Sequence, residues 1–388
     1  MSIFVRIQKY ISARLVPWAF ASGLILGFLF CCYWGEIASQ TNPFPNFVRF
    51  YQALAPSSGY YPTVNQLIAL CKSRVSKSDI LVVVGGNSTF LGVAQPPEEL
   101  WSRHLEENLG KSYAVVNLAQ RGAAPAGAAE SVAEALFKQG YQVIYVANVL
   151  PPNWGEPDGA DIYAYMYWNA RARSLLLPWE ARDRYFSGDS KNRDFRKTLL
   201  LRSWLDRASN SEDLWNMFCY AQFCTSWDSL TRIEFWKPRT IFKDQEGPPL
   251  PVPERFAGDL HKMVEVIRNL TNESGATGSD PKVWEHARAQ VEAGFVPSMR
   301  ARTLIVVSSF SPYYVHHMAG DEQQRYATLL TRTAELYRAS GVNAIESGGQ
   351  FDDADYKDSV HMVPSGGRRL ANELTPAVRN IARELYPH

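Results

Sequence analysis

Apolar residues along this chain follow three rhythms, and each predicts a different kind of element. From 15 to 35 the side chains carry no charge at all. Further on come short aliphatic runs at 80–84 (ILVVV), 114–119 (AVVNLA), 143–147 (VIYVA), 303–309 (TLIVVSS) and 342–346 (VNAIE). Their length suits strands, and the first is apolar enough to be buried on both faces. Between the runs, apolar positions recur every three or four residues, which predicts helices over 63–74, 97–109, 126–139, 322–340 and 367–385. Leu100, Trp101, Leu105 and Leu109 share a face of the second, and Gly110 ends it, as Gly140 and Gly341 end the next two. Leu370, Leu374, Val378 and Ile381 stripe the last, where Pro376 should kink or restart the helix. Strands alternating with helices predict an α/β fold, a three-layer α/β/α domain with right-handed crossovers.

The segment 15–35 is long enough to span a membrane, which takes roughly 20 apolar residues. Arg6, Lys9 and Arg14 precede it with no acidic residue among them, so the N-terminus should stay in the cytoplasm. Trp18, Tyr33 and Trp34 stand where aromatic belts are expected. A cleaved signal peptide is the competing reading, but its apolar core is usually shorter and no clean small-residue cleavage site follows. The favoured organisation is a cytoplasmic stretch 1–14, a single-pass anchor 15–35 in the cytoplasmic membrane, a connector and helix over 36–79, and a domain over 80–388. That domain would lie in the periplasm or outside the cell.

Charge and cysteines narrow the classes. Forty basic against 39 acidic residues among 388 leave a formal charge of +1, so no global field recruits nucleic acid. Cys71 shares the apolar face of its helix with Val64, Ile68 and Val75 and reads as a buried thiol. Cys219 and Cys224 could pair in an oxidising compartment if a turn brings them together. No cysteine pair has metal-site spacing with a histidine partner, so neither a structural zinc nor any other metal or cofactor is predicted.

The stretch 151–300 is far longer than a normal crossover and reads as a mainly helical insertion. It carries Trp154, Trp168, Trp179, Trp204, Trp215, Trp227, Trp236 and Trp284. For any single tryptophan, filling the insertion's own core is the favoured role. Tyr163, Tyr165, Tyr167 and Trp168 follow soonest after the third strand and are the best candidates to line a site.

Chemistry gathers at strand ends. After 80–84, Gly85 and Gly86 let the backbone turn sharply, and Asn87-Ser88 follows. Loops beyond the carboxyl ends of parallel strands meet at one edge, where ligands bind. Ser88 is the candidate nucleophile; the ordinary alternative is a cap on the next helix. Gly122, Asn148 and His361 fall in loops at the same edge. Asp358 lies close enough to His361 for one short loop to supply a base and its orienter. His316 and His317 compete as base, and Asp352, Asp353 and Asp355 as orienter. Tyr313, Tyr314, His316 and His317 are candidate substrate contacts. Asn87-Ser88-Thr89 is also a glycosylation sequon; a glycan there would block the nucleophile, which favours a bacterial envelope setting.

Four blocks resemble the SGNH (GDSL-like) hydrolase superfamily: Gly86-Asn87-Ser88, Gly122 after 114–119, Asn148 after 143–147, and Asp358-Ser359-Val360-His361. Asn87 stands where that family often has aspartate, and Val149 follows Asn148 where it has aspartate. The resemblance implies a flavodoxin-like parallel sheet and an acyl-enzyme mechanism. Ser88 would be the nucleophile, His361 the base and Asp358 its orienter, with the Ser88 and Gly122 N–H groups and the Asn148 amide as oxyanion donors. Anchored members often act on exported or cell-wall polysaccharide, some beside a multispan membrane acyltransferase. The expectation is thus a membrane-anchored esterase or O-acyltransferase acting on an ester-bearing glycan or small acyl ester. A catalytically inactive scaffold or glycan-binding partner of the same fold is the alternative.

Overall fold

The computed structural model describes residues 3–41, 48–49, 64–120, 123–151, 210, 213–214, 251–252, 254–273 and 281–387. These fall into two compact units. Most of the insertion, with Tyr163, Tyr165, Trp168, Cys219 and Cys224, lies outside the described residues, as does Gly122.

The smaller unit holds helix α1 (Ile3–Ser39) and the first turns of α2 (Val64–Arg74). In α1 the stretch Val16–Ser39 is long and apolar enough to cross a membrane. Its apolar surface is uncovered by protein: Trp18 is 73% and Phe20 68% exposed. Asp213 ties into this unit by accepting from Asn65 at 3.0 Å, and its carbonyl accepts from Gln66 at 3.0 Å.

The larger unit is built on five strands, β1 (Ile80–Val84), β2 (Tyr113–Asn117), β3 (Gln142–Val149), β4 (Thr303–Ser308) and β5 (Asn343–Ser347). All pair in parallel in the order β2-β1-β3-β4-β5. Every residue of β1 and β4 is buried, as expected for central strands covered on both faces. Each fully buried valine, leucine or isoleucine contributes about 1.5–3 kcal/mol, so these runs anchor the domain.

Helices follow the strands: α3 (Ser88–Leu91) and α4 (Trp101–Leu109) after β1, and α5 (Ala128–Lys138) after β2. Beyond β3 the described helices are α6 (Glu254–Ala257), α7 (Leu260–Glu273), α8 (Pro281–Gly294) and α9 (Pro297–Arg300). After β4 come α10 (Pro312–His316) and α11 (Gly320–Ala339), and after β5 the terminal α12 (Pro364–Leu385). The step from β1 to β2 runs one way across the sheet, and the steps β2 to β3 and β4 to β5 run the other. Right-handed crossovers therefore put α4 on one face and α5 and α11 on the opposite one. Helix α12 packs along α4.

Three features differ from the sequence expectation. The helix expected over 97–109 divides into a 3-10 turn (Pro97–Glu99) and α4, because Leu100 between them is extended (ψ 132°). Helix α12 starts at Pro364, with that proline in its first turn, and continues through Pro376. There Thr375 donates its hydroxyl to the Ala371 carbonyl at 2.7 Å, so a side chain adds a bond beside the missing proline N–H. On α2 the buried face is Val64, Leu67, Leu70 and Cys71 rather than Ile68 and Val75. Burial pushes the Cys71 thiol up to about 12, which makes it a packing residue without thiolate chemistry.

Candidate active site

In a doubly wound sheet, successive connections leave to opposite sides at one pair of neighbouring strands, and a crevice opens beyond their carboxyl ends. Here that pair is β1 and β3. Ser88 follows β1, and Asn148 lies near the end of β3. The turn between β1 and Ser88 depends on its glycines. Gly86 has φ +92°, and a Cβ on it would collide with the Asn148 carboxamide; a Cβ on Gly85 would strike the Tyr145 ring.

Asn87 caps α3, its Oδ1 accepting from the Thr89 N–H at 3.0 Å. Asn148 grips the same residue twice: its Oδ1 accepts the Asn87 N–H at 3.0 Å, and its Nδ2 donates to Asn87 Oδ1 at 2.9 Å. A longer 3.5 Å contact joins that Nδ2 to the Ser308 hydroxyl. Asn148 is completely buried, whereas Ser88 and Asn87 are half-buried.

The other half of the site is the loop before α12. His361 Nε2 stands 2.8 Å from Ser88 Oγ, and its Nδ1 stands 2.7 Å from Asp358 Oδ2. The second Asp358 oxygen accepts the backbone N–H groups of Val360 (3.0 Å) and His361 (2.8 Å). Partial burial works to raise the Asp358 pKa, but the ring of His361 and those two N–H groups outweigh it and hold the carboxyl below its ordinary value. An ionised carboxylate on Nδ1 keeps a proton on that nitrogen, which leaves the Nε2 lone pair facing the serine hydroxyl.

Long-range bonds hold this loop. A Tyr356–Met362 bridge closes it, with Lys357 N–H donating to the His361 carbonyl at 2.8 Å. Buried Gln95, after α3, donates to the Met362 carbonyl at 3.2 Å while accepting the Trp101 N–H at 2.8 Å. Ser311 N–H, after β4, donates to the Ser359 carbonyl at 2.8 Å. The Arg255 guanidinium, on α6, donates to the Tyr356 carbonyl. None of these three residues carries a sequence signal: each is a single polar side chain or amide outside any periodic pattern.

The competing candidates lie elsewhere. His316 and His317 are exposed; His317 Nδ1 contacts the Tyr313 carbonyl at 2.7 Å, and neither ring is bonded to Ser88. Asp352 and Asp355 pair with Arg369 at 2.6 and 3.1 Å, and His361 takes its carboxylate from Asp358 instead. Tyr313 stacks on Phe256 with ring centres 4.9 Å apart. Tyr314 is buried and donates to Asp259 at 2.6 Å; burial first, then Asp259, pushes its phenol up, so it stays protonated. Gln120, which precedes the loop holding Gly122, donates its N–H to the Gly86 carbonyl at 3.0 Å.

No protein-family model matches this chain, nor does any curated protein or solved structure.

Proposed function

We propose that this chain is a membrane-anchored serine acyl-ester enzyme of the SGNH type, an esterase or O-acyltransferase acting through an acyl-enzyme. The observation that carries the reading is the relay from Asp358 through His361 to the Ser88 hydroxyl, with bonds of 2.7 and 2.8 Å. In the proposed reaction, His361 Nε2 takes the Ser88 proton as Oγ bonds to the ester carbonyl carbon. The carbonyl electrons move onto oxygen, and collapse of that oxyanion expels the alkoxide, which takes the proton back from His361. Water, or a sugar hydroxyl, then attacks the acyl-serine by the same proton path. The Ser88 N–H, which meets no acceptor among the described residues, is available to the oxyanion, with the Gly122 N–H as its expected companion.

The apolar Val16–Ser39 stretch supports an anchor in the cytoplasmic membrane, with the domain on the periplasmic or outer side. That setting favours an O-acylated cell-envelope or exported polysaccharide as substrate, with a multispan membrane acyltransferase as a partner for the transferase form. Labelling of the full chain in detergent with a fluorophosphonate probe, against Ser88→Ala, tests the reading. Wild type should label and the variant should not. A folded wild type that takes no label would make the chain a scaffold of the same fold. Product analysis with an O-acetylated glycan, with and without an acceptor glycan, then separates hydrolysis from transfer.

A further inference from the structure

The two asparagines behind the nucleophile are oriented by backbone donors, so which amide atom is free can be read directly. The Thr89 N–H must meet an oxygen, which fixes Asn87 Oδ1 towards it. The Asn87 N–H likewise fixes Asn148 Oδ1, and the Asn148 nitrogen then falls against Asn87 Oδ1. The outcome is asymmetric. Asn148 Nδ2 donates inside the protein, in a residue with no exposed surface. Asn87 Nδ2 has no acceptor among the described residues and belongs to a half-buried residue next in sequence to Ser88. An oxyanion must come within about 2.7–3.1 Å of its donors, and a donor sealed from the crevice cannot meet one without the loop moving. An aspartate at 87 would accept the same two bonds equally well; only an asparagine adds a donor.

We infer that Asn87 Nδ2 is the side-chain donor to the oxyanion at Ser88, and that Asn148 acts as a positioning residue that aims the Asn87 carboxamide. This rests on the acyl-enzyme reading above and names a further group within the same site. Because the charge on oxygen develops only in the transition state, the donor should act on kcat rather than KM.

The test follows p-nitrophenyl acetate turnover and thermal unfolding of the full chain for wild type, Ser88→Ala, Asn87→Asp and Asn87→Ser. Asn87→Asp keeps both acceptor bonds and loses the donor; Asn87→Ser keeps a capping oxygen without an amide. Both should lower kcat about 10²-fold, within the usual effect of one lost oxyanion donor, with KM close to wild type. Asn87→Asp should keep the wild-type melting temperature, while Asn87→Ser, which leaves the buried Asn148 Nδ2 without its acceptor, should melt lower. Turnover of both variants at the wild-type rate, with Ser88→Ala inert, would overturn the inference alone. Losses that track a falling melting temperature in both variants would also overturn it, in favour of a purely structural role. A wild type that neither labels nor turns over would remove the acyl-enzyme reading and the inference together.

Discussion

The serine and the histidine of the relay are held in different ways. Ser88 follows a buried central strand, and its approach is pinned by backbone bonds between neighbouring strand ends. Gly85 N–H donates to the Val146 carbonyl at 2.8 Å, Leu118 N–H to Val84 at 2.7 Å and Gln120 N–H to Gly86 at 3.0 Å. His361 belongs to no strand. Its loop closes on itself and is then tied to the rest of the unit by Gln95, Ser311 and Arg255, which come from three separate segments. The serine's position is thus a consequence of sheet formation, while that of the histidine is set by a few single bonds. Loss of one such bond should loosen His361 and leave Ser88 in place.

The largest effect comes from removing the proposed base itself. His361→Ala should lower single-turnover acylation by p-nitrophenyl acetate by about 10³-fold or more, because members of such a relay act as a unit. An unchanged rate would move the base to another residue and erase the contrast between the two halves. Loosening the base is a milder insult. Gln95→Ala removes the donor to Met362 and leaves the buried Trp101 N–H without its acceptor, which should destabilise the domain by about 1–3 kcal/mol. Hydrogen exchange sharpens the comparison. The Lys357 and Val363 amides should lose protection in this variant, while those of Gly85 and Leu118 should keep theirs. Equal loosening of all four would mean that serine and base rest on one cooperative support.

That contrast also explains what the sequence made legible. The five aliphatic runs are the observed strands to within a few residues, because burial on both faces leaves a continuous apolar signature. Ser88 could be located because a strand followed by two glycines needs only local reading. His361 could be paired with Asp358 because the two are three residues apart. Their meeting with Ser88, 273 positions away, required the topology of the sheet as well. Gln95 and Met362, 267 residues apart, share no motif, so their bond had no trace in the sequence. Asn148 was expected to aim its amide at the substrate, and a sequence cannot show which way an amide is turned. In the structure both of its polar atoms face Asn87. Helix α12 does not restart at Pro376, although intrinsic propensity counts that residue as a break, because the apolar stripe of Leu370, Leu374, Val378 and Ile381 is buried along the whole helix.

The smallest effect concerns protons, and two carboxyl groups of the domain should give it opposite signs. Asp358 is held below its ordinary value, so between that depressed value and about 3.9, the unfolded reference, the unfolded chain binds more protons. Its contribution to stability is present above that window and disappears as pH falls through the native value. Glu373 is pushed the other way by burial, against hydrogen bonds from Ser347 and the Gly348 N–H. Its ionised form therefore costs stability once pH rises past the unfolded value. Asp358→Asn should melt lower than wild type at neutral pH and converge with it in acid, where Asp358 is protonated in both states. Glu373→Gln should gain on wild type as pH rises. Both differences should be small: the Asp358 side chain is 44% exposed, and solvent screens it. Melting temperatures of the three proteins measured from pH 3 to pH 8 would check this. Parallel curves for wild type and Asp358→Asn would mean that the carboxylate orients His361 without adding charge-dependent stability to its loop.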